Sequence, residues 1–329
     1  MEKIFALAPM MSITDRHFRV FIRHIFPRSQ LYTEMISTGS VIHGSRFDAL
    51  NFEPIEHPIG IQLGGSNPKE LAYCSKLAEE RGYDEINLNI GCPSNRVQNA
   101  RFGACLMAEP NLVASCVEQI KNTCNLPVTI KTRIGIDQQD DYTFLTEFIS
   151  KTSSAGCNMF YIHARKAWLN GLNPRQNRSI PPLEYDKVYR LKEDFPNLQI
   201  IVNGGIHSVS EVESHLTKLD GVMIGREANR NPWFMKELSD HYFGNSSKGR
   251  ITNRETIVRS YMEYIEQQLT LGVSLKTMVR HLMGIYHGQR GARHWRRMLC
   301  GDGPVSELGL EIVESALQKI TSLQTPEHT

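Results

Sequence analysis

The amino-acid sequence predicts an α/β fold, a (β/α)8 TIM barrel, followed by a small all-helical C-terminal domain. Eight short apolar, β-branched runs recur between residues 5 and 224, and strands apolar on both faces favour parallel pairing. Amphipathic stretches long enough for helices separate most of them, the alternation of a parallel sheet with crossover helices. The 329 residues fit one barrel and a modest remainder, a barrel of this type taking roughly 250.

The strands are expected at residues 5–8, 31–34, 60–63, 85–89, 128–131, 159–162, 199–202 and 221–224. Helices are expected between them at 15–25, 68–81, 111–123, 143–154, 183–194 and 209–216, while the link after the second strand has no clear pattern. The barrel closes near Arg226, and residues 229–234 open its last helix. Residues 244–249, Gly-Asn-Ser-Ser-Lys-Gly, are a polar, Gly/Ser-rich linker. Beyond it, 254–269, 274–287, 292–299 and 306–323 read as helices. The domains are thus a catalytic barrel over residues 1–243 and a helical domain over 250–329.

At 40% hydrophobic and 22% charged the composition is that of a globular protein. Seven cysteines with no C-x-x-C pair argue against a disulfide framework or a zinc ribbon, so a reducing cytosol and no metal are expected. The apolar opening at 4–11 lacks a basic n-region of any length and meets Asp15-Arg16 at once, unlike a secretory signal. No uncharged run approaches the roughly 20 residues of a membrane helix. A soluble, cytoplasmic protein is expected.

A net charge of +2 neither demands nor excludes a polyanion, but its distribution is uneven. Residues 245–329 carry 11 Lys+Arg against 8 Asp+Glu, and residues 1–244 carry 26 against 27. Residues 276–297 contain Lys276, Arg280, Arg290, Arg293, Arg296 and Arg297 and no acid. Arg290, Arg293 and Arg297 follow i, i+3, i+7 spacing, one face of a helix, with His294 and Trp295 interleaved. Mixed charge runs are usually solvated faces; an acid-free one with aromatics favours nucleic-acid contact.

The chemistry gathers at the carboxyl ends of the strands, where a parallel barrel places its active site. Ile86, Leu88 and Ile90 alternate with Asn87 and Asn89 as a strand. Gly91 and Pro93 then break it around Cys92. An arbitrary cysteine is most often a small buried hydrophobe, but a Gly-Cys-Pro turn hides a side chain poorly, which makes Cys92 the candidate acid. The other strand ends read Ala8-Pro9-Met10-Met11, Glu34-Met35, Gln62, Lys131 with Arg133, His163 with Arg165, Asn203-Gly204-Gly205 and Gly225-Arg226. The last two offer close-approaching backbone N–H groups and a guanidinium where many such barrels bind phosphate, though Gly204-Gly205 alone could be merely a tight turn. Lys131, His163 and Gln62 supply a cation, a ring and an amide for a flat heteroaromatic. With the phosphate site they suit flavin mononucleotide (FMN). A Schiff-base lysine would ask for a more apolar pocket. No G-x-G-x-x-G stands in a context for a built-in nicotinamide domain. Residues 163–183 are acid-free, with Arg165, Lys166, Arg175 and Arg178 around Trp168, a plausible RNA-facing loop.

Together these residues resemble the tRNA-dihydrouridine synthases, over nearly the whole chain. The resemblance is carried by Ala8-Pro9-Met10, by Asn87 to Ser94 (Asn-Leu-Asn-Ile-Gly-Cys-Pro-Ser), by Arg101-Phe-Gly-Ala104, His163-Ala-Arg165, Asn203-Gly-Gly-Ile206 and Gly225-Arg226. The run from His163 to Leu172, continuing to Pro181-Pro-Leu183, resembles the A subfamily, which acts on D-loop uridines 20 and 20a of tRNA. The resemblance implies flavin contacts at Pro9, Met10, Met11, Gln62, Lys131, His163, Asn203, Gly204, Gly205, Gly225 and Arg226. It implies proton donation by Cys92, with Asn89 and Arg133 near the uracil. FMN, recharged by NADPH, would pass a hydride to C6 while the thiol protonates C5 from the opposite face. The target base would be flipped from its stack, with Arg165, Arg175, Arg178, Arg290, Arg293, Arg296 and Arg297 toward the tRNA backbone. Two rivals are a flavin barrel enzyme reducing a free pyrimidine, of the dihydroorotate type, and a non-catalytic RNA-binding protein.

Overall fold

The computed structural model describes residues 2–44, 50–244, 253–300 and 309–324. Eight strands, β1 (Ile4–Leu7), β2 (Leu31–Ser37), β3 (Ile59–Gly64), β4 (Glu85–Ile90), β5 (Val128–Arg133), β6 (Met159–His163), β7 (Gln199–Asn203) and β8 (Gly221–Ile224), form one parallel sheet in the order β1-β8-β7-β6-β5-β4-β3-β2. A parallel bridge from Ala6 to Gln30 joins β1 to the start of β2. There the Leu7 amide donates to the Gln30 carbonyl at 2.9 Å and the Gln30 amide to the Phe5 carbonyl at 2.8 Å. The sheet therefore closes on itself, and all eight expected strands are present.

The helices are α1 (Arg16–Ile25), α2 (Thr38–Ile42), α3 (Pro68–Glu80), α4 (Asn95–Asn99), α5 (Pro110–Lys121), α6 (Tyr142–Ser154), α7 (Tyr185–Asp194), α8 (Val209–Leu216), α9 (Arg226–Arg230), α10 (Trp233–Phe243), α11 (Arg254–Thr270), α12 (Leu275–Val279), α13 (Ala292–Cys300) and α14 (Glu311–Gln324). Several of their starts are chemically marked. Asn67 accepts from the Lys69 and Glu70 amides with Pro68 at the first position of α3; Asp141 caps α6 at Phe144; Ser208 and Glu211 form a capping box on α8. Each such cap satisfies amides that the helix itself leaves unpaired.

The chain divides into two compact units: residues 1–14 with 29–225, and residues 15–28 with 226–329. In the first, strand residues alternate between two environments with period two. One set is apolar and fully buried, such as Ile61, Leu63, Ile86, Leu88 and Ile130. Within the barrel, Ala6, Ala8, Tyr32, Tyr161, Ile201 and Met223 form an apolar cluster. Gln62, Glu85, Asn87 and Thr129 are buried there too, but as polar groups bonded to one another.

The second unit is helical. Phe21 packs on Tyr261 at 5.1 Å between centroids, and buried Trp295 donates its indole N–H to the Leu282 carbonyl at 2.9 Å. Asp15 caps α1 at the Phe18 amide and pairs with both Arg280 and His281. Two expectations are corrected here. Residues 274–287 are not one helix: α12 gives way to a 3-10 segment, Arg280–Gly284, and then turns. An added Cβ on Gly284 would lie 2.6 Å from the Asn229 carbonyl oxygen, so the backbone passes too close for an ordinary side chain. Nor do Arg290, Arg293 and Arg297 share one helix. Gly291, at φ +87°, separates Arg290 from α13, which carries Arg293, Arg296 and Arg297. Residues 245–249 of the expected linker and 306–308 of the last expected helix lie outside the described residues.

Candidate active site

Cys92 sits just past β4, partly exposed, on a loop fixed from several sides. Asn89 turns its Oδ1 toward the loop and accepts from the Gly91 amide at 3.1 Å and the Cys92 amide at 3.0 Å. The Cys92 carbonyl accepts from the Ala104 amide at 2.9 Å. Gly103, at φ +81°, permits that approach, since a Cβ there would lie 2.5 Å from the Cys92 carbonyl oxygen. The thiol lies 3.6 Å from the Ser94 hydroxyl, which also caps α4. The loop backbone is thus held while Sγ keeps an open side.

Arg133 is 3% exposed, and its guanidinium braces loops: Nε donates to the Gly91 carbonyl at 2.9 Å, and Nη1 to the Lys166 and Asn177 carbonyls at 3.0 and 3.1 Å. Its Nη2 makes no hydrogen bond among the described residues. Gln62 is 1% exposed; its Oε1 accepts from Asn89 at 2.8 Å and its Nε2 donates to Asn87 Oδ1 at 2.7 Å.

Lys131 is the register partner of Asn89 on the neighbouring strand. Its ammonium donates to Asn203 Oδ1 at 3.1 Å, and Asn203 in turn donates to the Met223 carbonyl at 2.7 Å. Burial pulls the Lys131 pKa down to about 7, Arg133 adds to the fall, and Cys92 opposes it. Gly204 and Gly205 have φ of +111° and +72°. A Cβ on Gly204 would meet the His163 ring at 2.6 Å, and one on Gly205 would meet Leu183 at 2.5 Å. This turn therefore requires glycine twice over, by conformation and by close approach to the His163 loop. On the β1 side, Pro9 and Met10 are half-buried and Met11 is 58% exposed. The Ser12 amide, at a residue with φ +61°, donates to Glu34. Gly225 is half-buried in the first unit, and exposed Arg226 opens α9 in the second.

The loop after β6 is built around Asn177. Buried itself, it accepts from the Trp168 amide at 2.7 Å and donates to the Trp168 and Leu172 carbonyls. Gln98 donates to both Pro93 and Leu169 carbonyls, tying this loop to that of Cys92. Of the four cations expected to face RNA, Arg175 and Arg178 are exposed. Lys166 is half-buried, paired with Asp140 at 2.6 Å and seated over the Trp168 ring, while Arg165 is half-buried and donates to the Pro181 carbonyl.

In the second unit, Arg290, Arg293, Arg296 and Arg297 are exposed, and among the described residues none forms an ion pair with an acid. Arg297 bonds to His294 at 3.1 Å. Arg293, His294 and Arg297, with Gln289, Gly291 and Ala292, line an open cavity of about 410 Å³. Arg280, from the same acid-free stretch, is the exception, since it pairs with Asp15.

Glu85, Tyr32, Thr129 and Tyr161 carry no expectation from the sequence, yet they join Asn87, Gln62 and Asn89 in one buried network. The available signal was the period-two run Glu85, Asn87, Asn89: three polar residues on one face of a buried strand must find partners. Among the described residues, no group of His, Cys, Asp and Glu could hold a metal, and no helix is long and apolar enough to cross a membrane. All seven cysteines are free.

The family described as "Dihydrouridine synthase (Dus)" matches residues 6–320. A Shewanella oneidensis protein named tRNA-dihydrouridine(20/20a) synthase is 52% identical over 320 residues, covering 97% of this chain and 95% of its own. One of the same name from Vibrio cholerae is 53% identical over 316 residues, 96% of each chain. One from Pasteurella multocida is 50% identical over 318 residues, 97% and 96%. An old yellow enzyme homologue from Zymomonas mobilis is similar in fold, with TM-score 0.53 at 10% identity, covering 78% of this chain and 92% of its own.

Proposed function

The chain belongs to the dihydrouridine synthase family, and on that premise we propose that it reduces the C5–C6 double bond of D-loop uridines 20 and 20a in tRNA, with FMN as cofactor and NADPH as electron donor. The observation that carries the reading is Cys92 on its braced loop, one strand from a half-buried lysine with a neutral partner. Burying an ammonium against an amide oxygen is unfavourable unless an anionic or electron-rich group completes its surroundings. The electron-rich edge of a flavin is such a group, so the residues present fit it. Pro9, Met10, Met11, Gln62, Lys131, His163, Asn203, Gly204, Gly205, Gly225 and Arg226 would hold it. When bound, the reduced flavin supplies the hydride for C6.

The remaining work falls to the chain. Cys92 donates the proton to C5 from its thiol. Asn89, fixed by its bonds to Gln62 and the Cys92 loop, keeps one amide N–H for the uracil. Arg133 holds the loops on either side of the base. The exposed guanidinium groups of Arg175, Arg178, Arg290, Arg293, Arg296 and Arg297 take tRNA phosphates, and Arg165 shapes the loop that carries two of them. In this assignment the barrel, residues 1–243, is catalytic and the helices within 250–329 hold tRNA.

The test is to incubate purified protein and NADPH with tRNA lacking dihydrouridine, then map the product. Dihydrouridine at positions 20 and 20a is expected. Reduction of uracil or orotate with none of tRNA would favour a free-pyrimidine enzyme and overturn the proposal; a protein with no bound flavin and no reductase activity would favour an RNA-binding role.

A further inference from the structure

We propose that Glu85, at the amino-terminal end of β4, is a positioning residue: it terminates a one-directional hydrogen-bond chain through the barrel interior that sets the Asn89 amide and, through it, the Cys92 loop. The proposal rests on the reading of Cys92 as the reactive group.

The direction of the chain is forced link by link. Asn89 Oδ1 faces two backbone N–H groups, of Gly91 and Cys92, so it can only accept. Asn89 Nδ2 must then face Gln62, making the Gln62 atom it meets at 2.8 Å the oxygen. Gln62 Nε2 consequently donates to Asn87 Oδ1 at 2.7 Å, and Asn87 Nδ2 to the Thr129 hydroxyl oxygen at 2.8 Å. The Thr129 hydroxyl has one proton, and its nearest acceptor is a Glu85 carboxyl oxygen; the Ile86 carbonyl lies at 3.4 Å. The same carboxyl oxygen accepts from the Tyr32 hydroxyl at 2.6 Å, and the Tyr161 hydroxyl oxygen lies 2.6 Å from that of Tyr32. From Asn89 to Thr129, every proton points toward position 85. Aligned bonds of this kind strengthen one another, and one turned amide would leave two like groups facing at both of its ends.

Packing alone does not call for this polarity. Ala6, Ile201 and Met223 fill their part of the interior with apolar groups, and buried polar sets can often be replaced by apolar ones of the same shape with little loss. The carboxyl is moreover held against a desolvation that raises its pKa to about 7. The polar chain occupies β3, β4 and β5 and ends at the Cys92 loop.

The experiment follows backbone hydrogen exchange of the Gly91 and Cys92 amides in the full-length protein, with the Ile130 amide of β5 as internal reference. Glu85→Met removes the terminal acceptor and Thr129→Val interrupts the chain; Glu85→Gln and Thr129→Ser restore an acceptor or a hydroxyl. A hydrogen bond of ordinary net strength corresponds to roughly a 10-fold change. Exchange at Gly91 and Cys92 relative to Ile130 is therefore expected to rise by about that factor in the Met and Val variants, and to return toward the parent value in Gln and Ser. Parent-like exchange in both Met and Val variants would overturn the proposal. Should Glu85→Met not fold, Thr129→Val, which loses one hydroxyl, decides alone. The kcat on tRNA should follow the same order with KM unchanged. If the parent protein lacks activity on tRNA, the functional reading fails while the exchange result still stands.

Discussion

Buried at the start of β4, the Glu85 carboxyl is pushed up to about 7 by desolvation, with Asp84 adding to the shift and hydrogen bonds from Thr129 and Tyr32 opposing it. A raised pKa means the folded protein holds this proton more tightly than the unfolded chain does. The associated stability is complete below the ordinary carboxyl value of 4.5 and is lost as pH rises to about 7. Glu85→Gln does not titrate, so its stability relative to the parent should climb across that window by on the order of 2–4 kcal/mol and level off above it. Urea unfolding at several pH values measures the slope. Any fixed cost of fitting the amide shifts the offset and leaves the slope alone; a flat difference would mean the carboxyl is not desolvated in solution. Cys92 makes the opposite kind of residue, since its thiol carries little of the fold. Cys92→Ala should keep its flavin and its melting temperature but lose ~10²–10⁴-fold in dihydrouridine formation, the usual contribution of a general acid. Near-parent turnover would assign the proton to another group.

Among the elements, the turn after β7 is the most constrained. Gly204 combines φ +111° with a Cβ position 2.6 Å from the His163 ring, and an ordinary residue in such a conformation costs on the order of 1–3 kcal/mol before any clash. Gly204→Ala should therefore push the turn and the His163 loop apart and purify with less flavin, read as visible absorbance per protein. Full colour with an unchanged unfolding midpoint would place the cofactor elsewhere. The Asn-Gly-Gly pattern marked this turn from sequence because glycine pairs at a strand end have few other uses. The eight strands were legible for a similar reason: runs such as 128–131, apolar or β-branched up to their lysine, suit little besides a strand covered on both sides. What could not be read was how strands register. Glu85, Asn87 and Asn89 announce a polar face, but only the pairing of Gln62 with Asn87 and of Asn87 with Thr129 shows which side chains meet. Helix continuity after 274 was equally hidden: α12 ends at Val279, and the 3-10 segment after it runs to Gly284, whose backbone nears the Asn229 carbonyl, a neighbour in space that lies far back along the chain.

At the scale of the whole molecule the question is what holds a large polyanion, because the net charge of +2 supplies little general attraction. Local cations must do it. The acid-free stretch in the second unit is only partly available: Arg280 is committed to Asp15, and the exposed cations with no acid partner among the described residues are Lys276, Arg290, Arg293, Arg296 and Arg297. Arg290 lies on the turn before α13 while Arg293 and Arg297 are four residues apart on it, so the cluster is set by a turn and a helix start rather than by one helical stripe. Removing Arg290, Arg293 and Arg297 together should weaken tRNA binding, because fewer counterions are then released. The slope of log K against log[salt] should fall by about 0.7–0.9 for each phosphate that the variant no longer neutralises. Flavin content should not change, because none of the three is among the residues assigned to the flavin. The competing account is that they brace the protein, but among the described residues they meet no acid, so the melting temperature should move little. A variant that melts early yet binds tRNA with the parent salt slope would give these arginines a structural role and leave Arg175 and Arg178, on the loop after β6, as the cations that meet the RNA.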